Sequence, residues 1–398
     1  MNKLVIGFFL IICIIGTLFF ISRKTDLHFG LALLDLIAAR EDTLDQPYVP
    51  RPLKDPPSVM RGIYITSWIA GNEKRLKELV QLIKENNLNT IVVDIKDSSG
   101  YVSYSSLAAQ VIKYETSEAR ISDLDAFVKK FHDENIYIIG RISVFQDPLF
   151  AEIRPDLALK SKKTGKAWKD RKGLSWLDAA SSEVWDYNIE IAQELFVRGF
   201  DEVNFDYIRF PSDGNLLDIA YPVWDIKTGR NVVLRSFFEY LRNALSGHRI
   251  SADLFGLTTV SYDDLGIGQV IEDAFPYFDY IDAMIYPSHY ARGFQGYNEP
   301  AKYPYEIVNY SMQRSIERLS QYITHSFSTH RADVDPLFKL RPWLQDFDLG
   351  TVYDKAEVEA QIRGVSDAFH DVLLASSSAP MFSGWLMWAP DNRYTSLK

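Results

Sequence analysis

The sequence contains one cysteine, Cys13, and its excess of acidic over basic residues gives a formal net charge of −10. A single cysteine excludes a disulfide within the chain and a cysteine-based zinc site. The acidic balance argues against nucleic-acid binding, which needs a basic surface to neutralise phosphates. No glycine-rich phosphate-binding fingerprint follows the first predicted strand, and neither G-x-S-x-G nor H-E-x-x-H occurs. We therefore expect no nucleic-acid partner, no metal and no other cofactor.

An unbroken apolar run from Leu4 to Ile21 occupies the N-terminus. Its length suits a bilayer-spanning helix, and no A-x-A cleavage site follows Phe20. Residues 1–24 are predicted to be an uncleaved signal anchor, with a cleaved signal peptide as the alternative. Residues 25–60 are predicted to be a tether, because five prolines fall between Gln46 and Pro57 and favour an extended spacer. The remaining domain, 61–398, is expected outside the cytoplasm, anchored in the cell envelope or secreted.

Eight apolar, β-rich segments alternate with helix-period segments after Arg61. The strands are predicted at 62–68, 90–96, 136–144, 202–210, 250–257, 281–286, 340–347 and 384–389, and the main helices at 73–85, 122–134, 183–197, 232–245, 306–322 and 355–369. Alternating strands and helices indicate parallel pairing with right-handed crossovers. The count of eight favours a closed α/β (β/α)8 TIM barrel over a doubly wound open sheet, and places the site at the C-terminal strand ends.

Asp206, at the end of the fourth strand, is the first candidate for catalysis. Period two places Asn204 and Asp206 on one face of that strand, so both face the barrel interior if either does. A buried carboxylate is costly unless it is paired or used. A structural ion pair with Arg209 or Arg141 is the alternative to a catalytic role.

Glycosidic cleavage needs two carboxyl groups that flank one bond. Asp253, on the neighbouring strand, is the predicted second catalytic residue, although it lies near the start of its strand and local hydrogen bonding is the alternative. Asp94 and Asp346 are rivals for the acid role and are otherwise expected to bind hydroxyl groups. The other predicted substrate-binding residues at strand ends are Lys96, Arg141, Arg209, Tyr286, His289, Trp343, Gln345 and Trp388.

Aromatic residues crowd the loop that begins at Tyr286 and His289 and runs to Tyr305. Aromatic faces stack on sugar rings, and their polar atoms bind hydroxyl groups. The alternative is a loop that packs on itself. A second loop, 146–180, carries Trp168 and Trp176 among lysines, and is interpreted either as another wall of the cleft or as a solvated surface.

Several of these segments resemble a bacterial family of glycoside hydrolases catalogued as a domain of unknown function, with TIM barrels distantly related to the alpha-amylase-like enzymes. The matching segments are RGIYITSW (61–68), VVDIKDSSGYVSY (92–104), GRISVFQDP (140–148), FDEVNFDYIRFPSDG (200–214), SADLFG (251–256), MIYPSHY (284–290) and RPWLQDF (341–347). The resemblance implies that Asp206 is a nucleophile or base. It leaves the acid open, because the alpha-amylase pattern has Glu on strand five where this sequence has Asp253.

The leading hypothesis is therefore a glycoside hydrolase that is tethered to the membrane and cleaves an envelope or extracellular polysaccharide. The alternative from another class is a catalytically silent barrel that binds glycan within an envelope assembly. A third reading is a hydrolase or lyase of another polar substrate, because a barrel fold does not determine its chemistry.

Overall fold

The computed structural model describes residues 49–325, 339–373 and 381–397. Eight parallel strands form a closed barrel. Its strands are β1 Met60–Ile65, β2 Thr90–Lys96, β3 Tyr137–Ser143, β4 Glu202–Asp206, β5 Ile250–Phe255, β6 Tyr280–Met284, β7 Trp343–Gln345 and β8 Gly384–Trp388. Their spatial order is β1-β8-β7-β6-β5-β4-β3-β2. The predicted eight-stranded α/β barrel is confirmed.

Helices surround the barrel and cover its apolar outer face. They are α1 Ser67–Ala70, α2 Glu73–Glu85, α3 Ala109–Tyr114, α4 Leu124–His132, α5 Pro148–Ile153, α6 Ser182–Val197, α7 Arg230–Ala244, α8 Ile271–Ala274, α9 Pro304–His325 and α10 Lys355–Leu373. The amphipathic period explains their orientation: in α2, Leu76, Leu79 and Ile83 are buried. The helix α6 ends at Val197 and is followed by Arg198 and Gly199, and the φ of +85° at Gly199 lies in the left-handed region that favours glycine.

The barrel closes where β8 meets β1. Gly384 has a φ of +101°, and a Cβ atom at this position would lie 1.7 Å from the carbonyl oxygen of Met60. Only glycine permits both this backbone conformation and this close approach. A glycine at the start of β8 is thus a steric requirement for closure.

Strand β4 is shorter than the sequence predicts, and the difference shapes the site. The predicted strand reached Phe210, but the observed strand ends at Asp206 because Tyr207 adopts a left-handed backbone conformation with φ +54°. A non-glycine residue in this conformation is strained, and such strain is concentrated at functional sites. The turn carries Arg209 out of the sheet and away from Asp206.

None of the helices within the described ranges has the length and apolarity needed to cross a bilayer. The predicted anchor, 1–24, and the predicted tether as far as residue 48 lie outside these ranges. The last part of the proline-rich segment contacts the base of the barrel, where the backbone N–H of Leu53 donates to Asp201 at 2.6 Å.

Candidate active site

Two buried ionic clusters fill the polar part of the barrel interior. The lower cluster consists of Glu202, Asp282 and Arg341, and lies near the N-terminal ends of the strands. Arg341 is fully buried and donates to Asp282 at 2.9 and 2.8 Å and to Glu202 at 2.5 and 3.1 Å. The guanidinium thus bridges both carboxylates, and Tyr137 also donates to Glu202 at 3.1 Å. The pairing of these three residues was not predicted from the sequence.

The upper cluster consists of Asp94, Arg141, Asp206 and Asp253, and lies near the C-terminal ends of β2, β3, β4 and β5. Arg141 donates to Asp94 at 2.5 Å and also to Asp206, and its Nε lies 3.6 Å from Asp253. Three carboxyl groups therefore share one guanidinium. The structure brings together four of the predicted site residues, and of the two ion pairs considered for Asp206 it contains the one with Arg141.

Neutral donors hold the carboxyl groups of the upper cluster in place. The indole N–H of Trp343 donates to Asp253 at 2.7 Å, and the Asn204 amide donates to the same oxygen at 2.8 Å. The hydroxyl of Tyr64 donates to Asp94, and the backbone N–H of Tyr207 donates to Asp206 at 2.5 Å. The orientation of these carboxyl groups is thereby set before any ligand arrives.

Burial and mutual repulsion raise the pKa of two of these acids. Burial is the main cause that raises the pKa of Asp253 well above its ordinary value, and the negative charge of Asp206 adds to the shift. Burial likewise raises the pKa of Asp94, against the opposing effect of Arg141. The protonated form of Asp253 is thus favoured beside Asp206, which accepts a hydrogen bond from Arg141.

A cleft of about 300 Å³ opens beside the upper cluster, between the ends of β4, β5 and β6. Its lining residues are Asp206, Tyr207, Arg209, Phe255, Gly256, Leu257, Met284, Tyr286, His289 and Tyr290. Asp206 is the carboxylate among them. Asp253 lies beneath the cleft, with 2% of its surface exposed. The cleft therefore combines one carboxylate with aromatic walls, a combination that suits a sugar ring.

The mouth of the barrel carries a second aromatic surface. Trp388 stacks on Tyr64 with ring centroids 3.9 Å apart, and it lies edge-on to Trp343 at 5.7 Å. The guanidinium of Arg141 lies 5.1 Å from the Trp388 ring centre. The predicted substrate-binding residues Trp343 and Trp388 thus adjoin the upper cluster.

Three predicted substrate-binding residues, Lys96, Gln345 and Asp346, belong neither to the cleft lining nor to the upper cluster. Lys96 is fully buried and forms a salt bridge of 2.6 Å with Asp147, because an irregularity in the β2–β3 register between Asp94 and Lys96 breaks the alternation of faces. Gln345 accepts from the backbone N–H of Ser288 at 3.2 Å and donates to the carbonyl of Phe347 at 2.8 Å. It therefore holds the Tyr286–His289 loop in position.

Asp346 also lies away from the cleft. It follows Gln345 in the chain, so it faces the opposite side of the strand, and burial raises its pKa to about 6. Its backbone N–H donates to the carbonyl of Trp388 at 2.9 Å. Asp346 is not among the residues that line the cleft.

His289 and Arg209 both line the cleft. Burial, with a smaller contribution from the charge of Lys172, lowers the pKa of His289. Arg209 does not pair with Asp206: its guanidinium lies over the rings of Trp176, Phe255 and Tyr207, at 4.8, 4.7 and 5.2 Å from their centres. No group of three or more His, Cys, Asp or Glu residues in the described ranges is arranged to hold a metal ion.

Solved structures resemble this barrel to different degrees. The glycoside hydrolase domain of PgaB (BpsB) from Bordetella bronchiseptica is 12% identical, covers 85% of this chain and 97% of its own, and has a TM-score of 0.57. This similarity supports the fold alone. A hypothetical protein from Ruminiclostridium thermocellum is 36% identical over 52% of this chain and 98% of its own, with a TM-score of 0.45.

An alpha-galactosidase from Thermus thermophilus is 12% identical, covers 86% of this chain and 63% of its own, and has a TM-score of 0.46. No curated protein sequence matches the chain significantly. A family model described as "Putative glycosyl hydrolase domain" matches residues 62–394, which include all residues of both clusters and of the cleft. The chain therefore belongs to this glycosyl hydrolase family, and glycoside hydrolysis is the activity that the membership supports.

Proposed function

We propose that the protein cleaves an envelope or extracellular polysaccharide, with Asp206 as the nucleophile or general base. The observation that carries the proposal is the position of Asp206, which faces the aromatic cleft while Arg141 holds its other side. A carboxylate held in this way stabilises the positive charge that develops at the anomeric carbon. The guanidinium holds the Asp206 carboxylate in a fixed orientation as the sugar approaches.

Asp253 is the proposed acid. Burial raises the pKa of Asp253 well above its ordinary value, which favours the protonated form that can donate a proton to the leaving oxygen. The Nε of Arg141, on the side that faces Asp253, has no hydrogen-bond partner in the structure. Proton transfer from Asp253 requires the leaving oxygen to reach down past Arg141, which makes depth of substrate entry a condition of turnover.

Recognition of the sugar is assigned to the aromatic walls. Tyr286 and Tyr290 are buried side chains that border the cleft, and Phe255 also lines it. Their faces offer apolar surface to a pyranose ring, while His289 offers a hydrogen-bonding ring nitrogen. Burial raises the pKa of Tyr286 well above its ordinary value, so its hydroxyl stays a donor.

The proposed location is the cell envelope, with the barrel outside the cytoplasm. The support comes from the sequence, where the apolar run Leu4–Ile21 precedes a proline-rich segment and then the barrel. Digestion of the barrel by protease added to intact cells is expected. Complete protection of the barrel in cells that remain intact would contradict this location.

Depolymerisation of glycans tests the activity and the substrate class together. The full-length chain and its Asp206→Asn variant are incubated with a panel of bacterial envelope and extracellular polysaccharides, and released oligosaccharides are identified by mass spectrometry. Products from the wild type alone are expected. Equal products from the variant would contradict the role of Asp206.

A second candidate function is glycan binding without turnover. It is favoured by one observation, namely that Asp253 lies beneath the cleft and is absent from its lining. Retention of one glycan by both proteins, with no products from either, would establish this alternative in place of hydrolysis.

A further inference from the structure

Arg209 differs from every other buried arginine in the described part of the chain. Four others, Arg141, Arg242, Arg318 and Arg341, each form a salt bridge with at least one carboxylate. Arg209 is 8% exposed and forms no salt bridge with any described residue. Its guanidinium donates only to two neutral groups, the carbonyl of Phe210 at 3.1 Å and the hydroxyl of Ser212 at 3.2 Å.

A buried cation without an anion is costly, and the cost is recovered when a ligand supplies the missing charge. Three aromatic rings hold the Arg209 guanidinium at the wall of the cleft, so its position is fixed before a ligand binds. The planar group presents its remaining N–H donors as a fork that matches a carboxylate or a phosphate.

A basic hairpin adjoins this side of the cleft. Between residues 160 and 173 it exposes six basic side chains, and none of them forms a salt bridge with a described residue: Lys162, Lys163, Lys166, Lys169, Arg171 and Lys172. The acidic residue within this stretch, Asp170, is buried and accepts from Gln146 at 2.8 Å and Trp176 at 3.0 Å. Its charge is therefore turned inward.

Two contacts connect the hairpin to Arg209. Trp176, at the hairpin base, provides one of the rings over the guanidinium. The backbone N–H of Arg171 donates at 3.0 Å to Asp213, in the loop that follows Arg209. In a chain with a net charge of −10, this local excess of positive charge raises the concentration of anionic ligands at the cleft.

We propose that the substrate is an acidic glycan, whose carboxylate or phosphate group binds Arg209 while the basic hairpin attracts the rest of the charged chain. This proposal rests on the proposed function of the cleft and specifies its substrate class. It also explains how an acidic protein accepts an anionic polymer, since the positive surface lies beside the cleft.

Three probes that share one ring test the recognition of charge: glucose, glucuronate and glucose 6-phosphate. Their binding to the full-length chain is measured by ligand-observed NMR titration at low and high salt. We expect at least one anion to bind about tenfold or more tightly than glucose, with the preference weakening at high salt. The better anion identifies carboxylate or phosphate as the recognised group.

Arg209→Met is expected to reduce anion binding to the level of glucose. Arg230→Met is the matched control, because Arg230 also stacks on aromatic rings, at 4.9 Å from Trp224 and 5.6 Å from Phe210, but does not line the cleft. Because Arg209→Met removes a buried group, the exposed triple variant Lys169→Gln, Arg171→Gln, Lys172→Gln provides a second test. It is expected to weaken binding of an acidic oligosaccharide and to reduce the salt dependence.

Equal binding of glucose and both anions, absence of anion binding, or unchanged anion binding in Arg209→Met would each overturn the proposal. Measuring turnover of the polysaccharide panel distinguishes failure of acidic-substrate recognition from failure of the proposed hydrolase activity. Cleavage of neutral glycans alone would retain the hydrolase and reject acidic-substrate recognition. Selective anion binding through Arg209, with no turnover of any glycan, would retain the recognition site and reject the hydrolase.

Discussion

The lower and upper clusters are built from the same residue types, but they differ in how completely their charges are satisfied. In the lower cluster, one arginine bridges two carboxylates at hydrogen-bond distance, and Glu202 and Asp282 are both fully buried. In the upper cluster, one arginine serves three carboxyl groups, its Nε is unpartnered, and Asp206 borders the cleft. The upper cluster thus differs from the lower one in having an unsatisfied guanidinium nitrogen and a carboxylate, Asp206, that borders open space.

Asn204 connects the two clusters. Its amide nitrogen donates to Asp253 above at 2.8 Å and to Asp282 below at 3.1 Å, and its Oδ1 has no hydrogen-bond partner. A neutral residue between two charged layers lets them remain close without adding another charge. The interior therefore changes along β4 from a fully buried layer at Glu202 to a layer at Asp206 that borders the cleft.

The largest expected effect on stability comes from removing the lower arginine. Arg341→Met leaves Glu202 and Asp282 buried without a counter-ion, which is expected to lower the free energy of unfolding by about 3–5 kcal/mol. Arg314→Met is the control, since its exposed pair with Glu317 contributes at most about 0.5 kcal/mol. Urea denaturation measures both variants. An Arg341→Met variant as stable as the control would show that the lower cluster is not structural.

The next largest effect is expected on the activity of an Asp253 variant, and it distinguishes the proposed acid, Asp253, from the proposed base, Asp206. In Asp253→Asn, cleavage of a glycoside with a poor leaving group is expected to fall about 10²–10⁴-fold, because the leaving oxygen is no longer protonated. With a dinitrophenyl leaving group, which departs without protonation, the same variant is expected to retain most of the wild-type rate. Steady-state kinetics on the two substrates measure the split. An equal loss on both substrates would assign Asp253 to positioning and not to proton donation.

The smallest effect concerns a carboxylate outside both clusters. Asp346 has a pKa of about 6, above the ordinary value of 3.8, so folding favours its protonated form. Stability therefore falls as pH rises from about 4 to about 6, and the cost persists at higher pH. Asp346→Asn is expected to raise the free energy of unfolding by about 1–3 kcal/mol at pH 7.5 and to leave it unchanged at pH 4. Urea denaturation at both pH values tests this, and destabilisation at pH 7.5 would contradict it.

Sequence periodicity predicted the barrel well because its signal is local. The helices and strands alternate regularly, and the polar residues of β4 recur at every second position, so Asn204 and Asp206 could be placed on one face. The meeting of Asp94, Arg141 and Asp206 also followed from strand-end positions, because parallel strands bring their C-terminal ends to one rim. Asp253 was predicted instead from its place on the strand next to that of Asp206. These conclusions needed only the order of the strands.

The departures from the sequence prediction arise from single backbone irregularities. The irregular register after Asp94 reverses the face of Lys96, and the left-handed turn at Tyr207 separates Arg209 from Asp206. Neither position carries a glycine or proline that would mark it in the sequence. The pairing of Arg341 with Glu202 and Asp282 was missed because it joins three strands that are distant in the chain.

The contrast between the two clusters is tested most directly by measuring thermal unfolding and glycan turnover in parallel for Asp206→Asn and Asp282→Asn. We expect Asp206→Asn to lose turnover by about 10³-fold or more while its melting temperature is unchanged or raised. We expect Asp282→Asn to melt at a lower temperature but to retain turnover below that temperature. Full turnover by Asp206→Asn, or loss of turnover by a well-folded Asp282→Asn, would contradict the assignment of chemistry to the upper cluster.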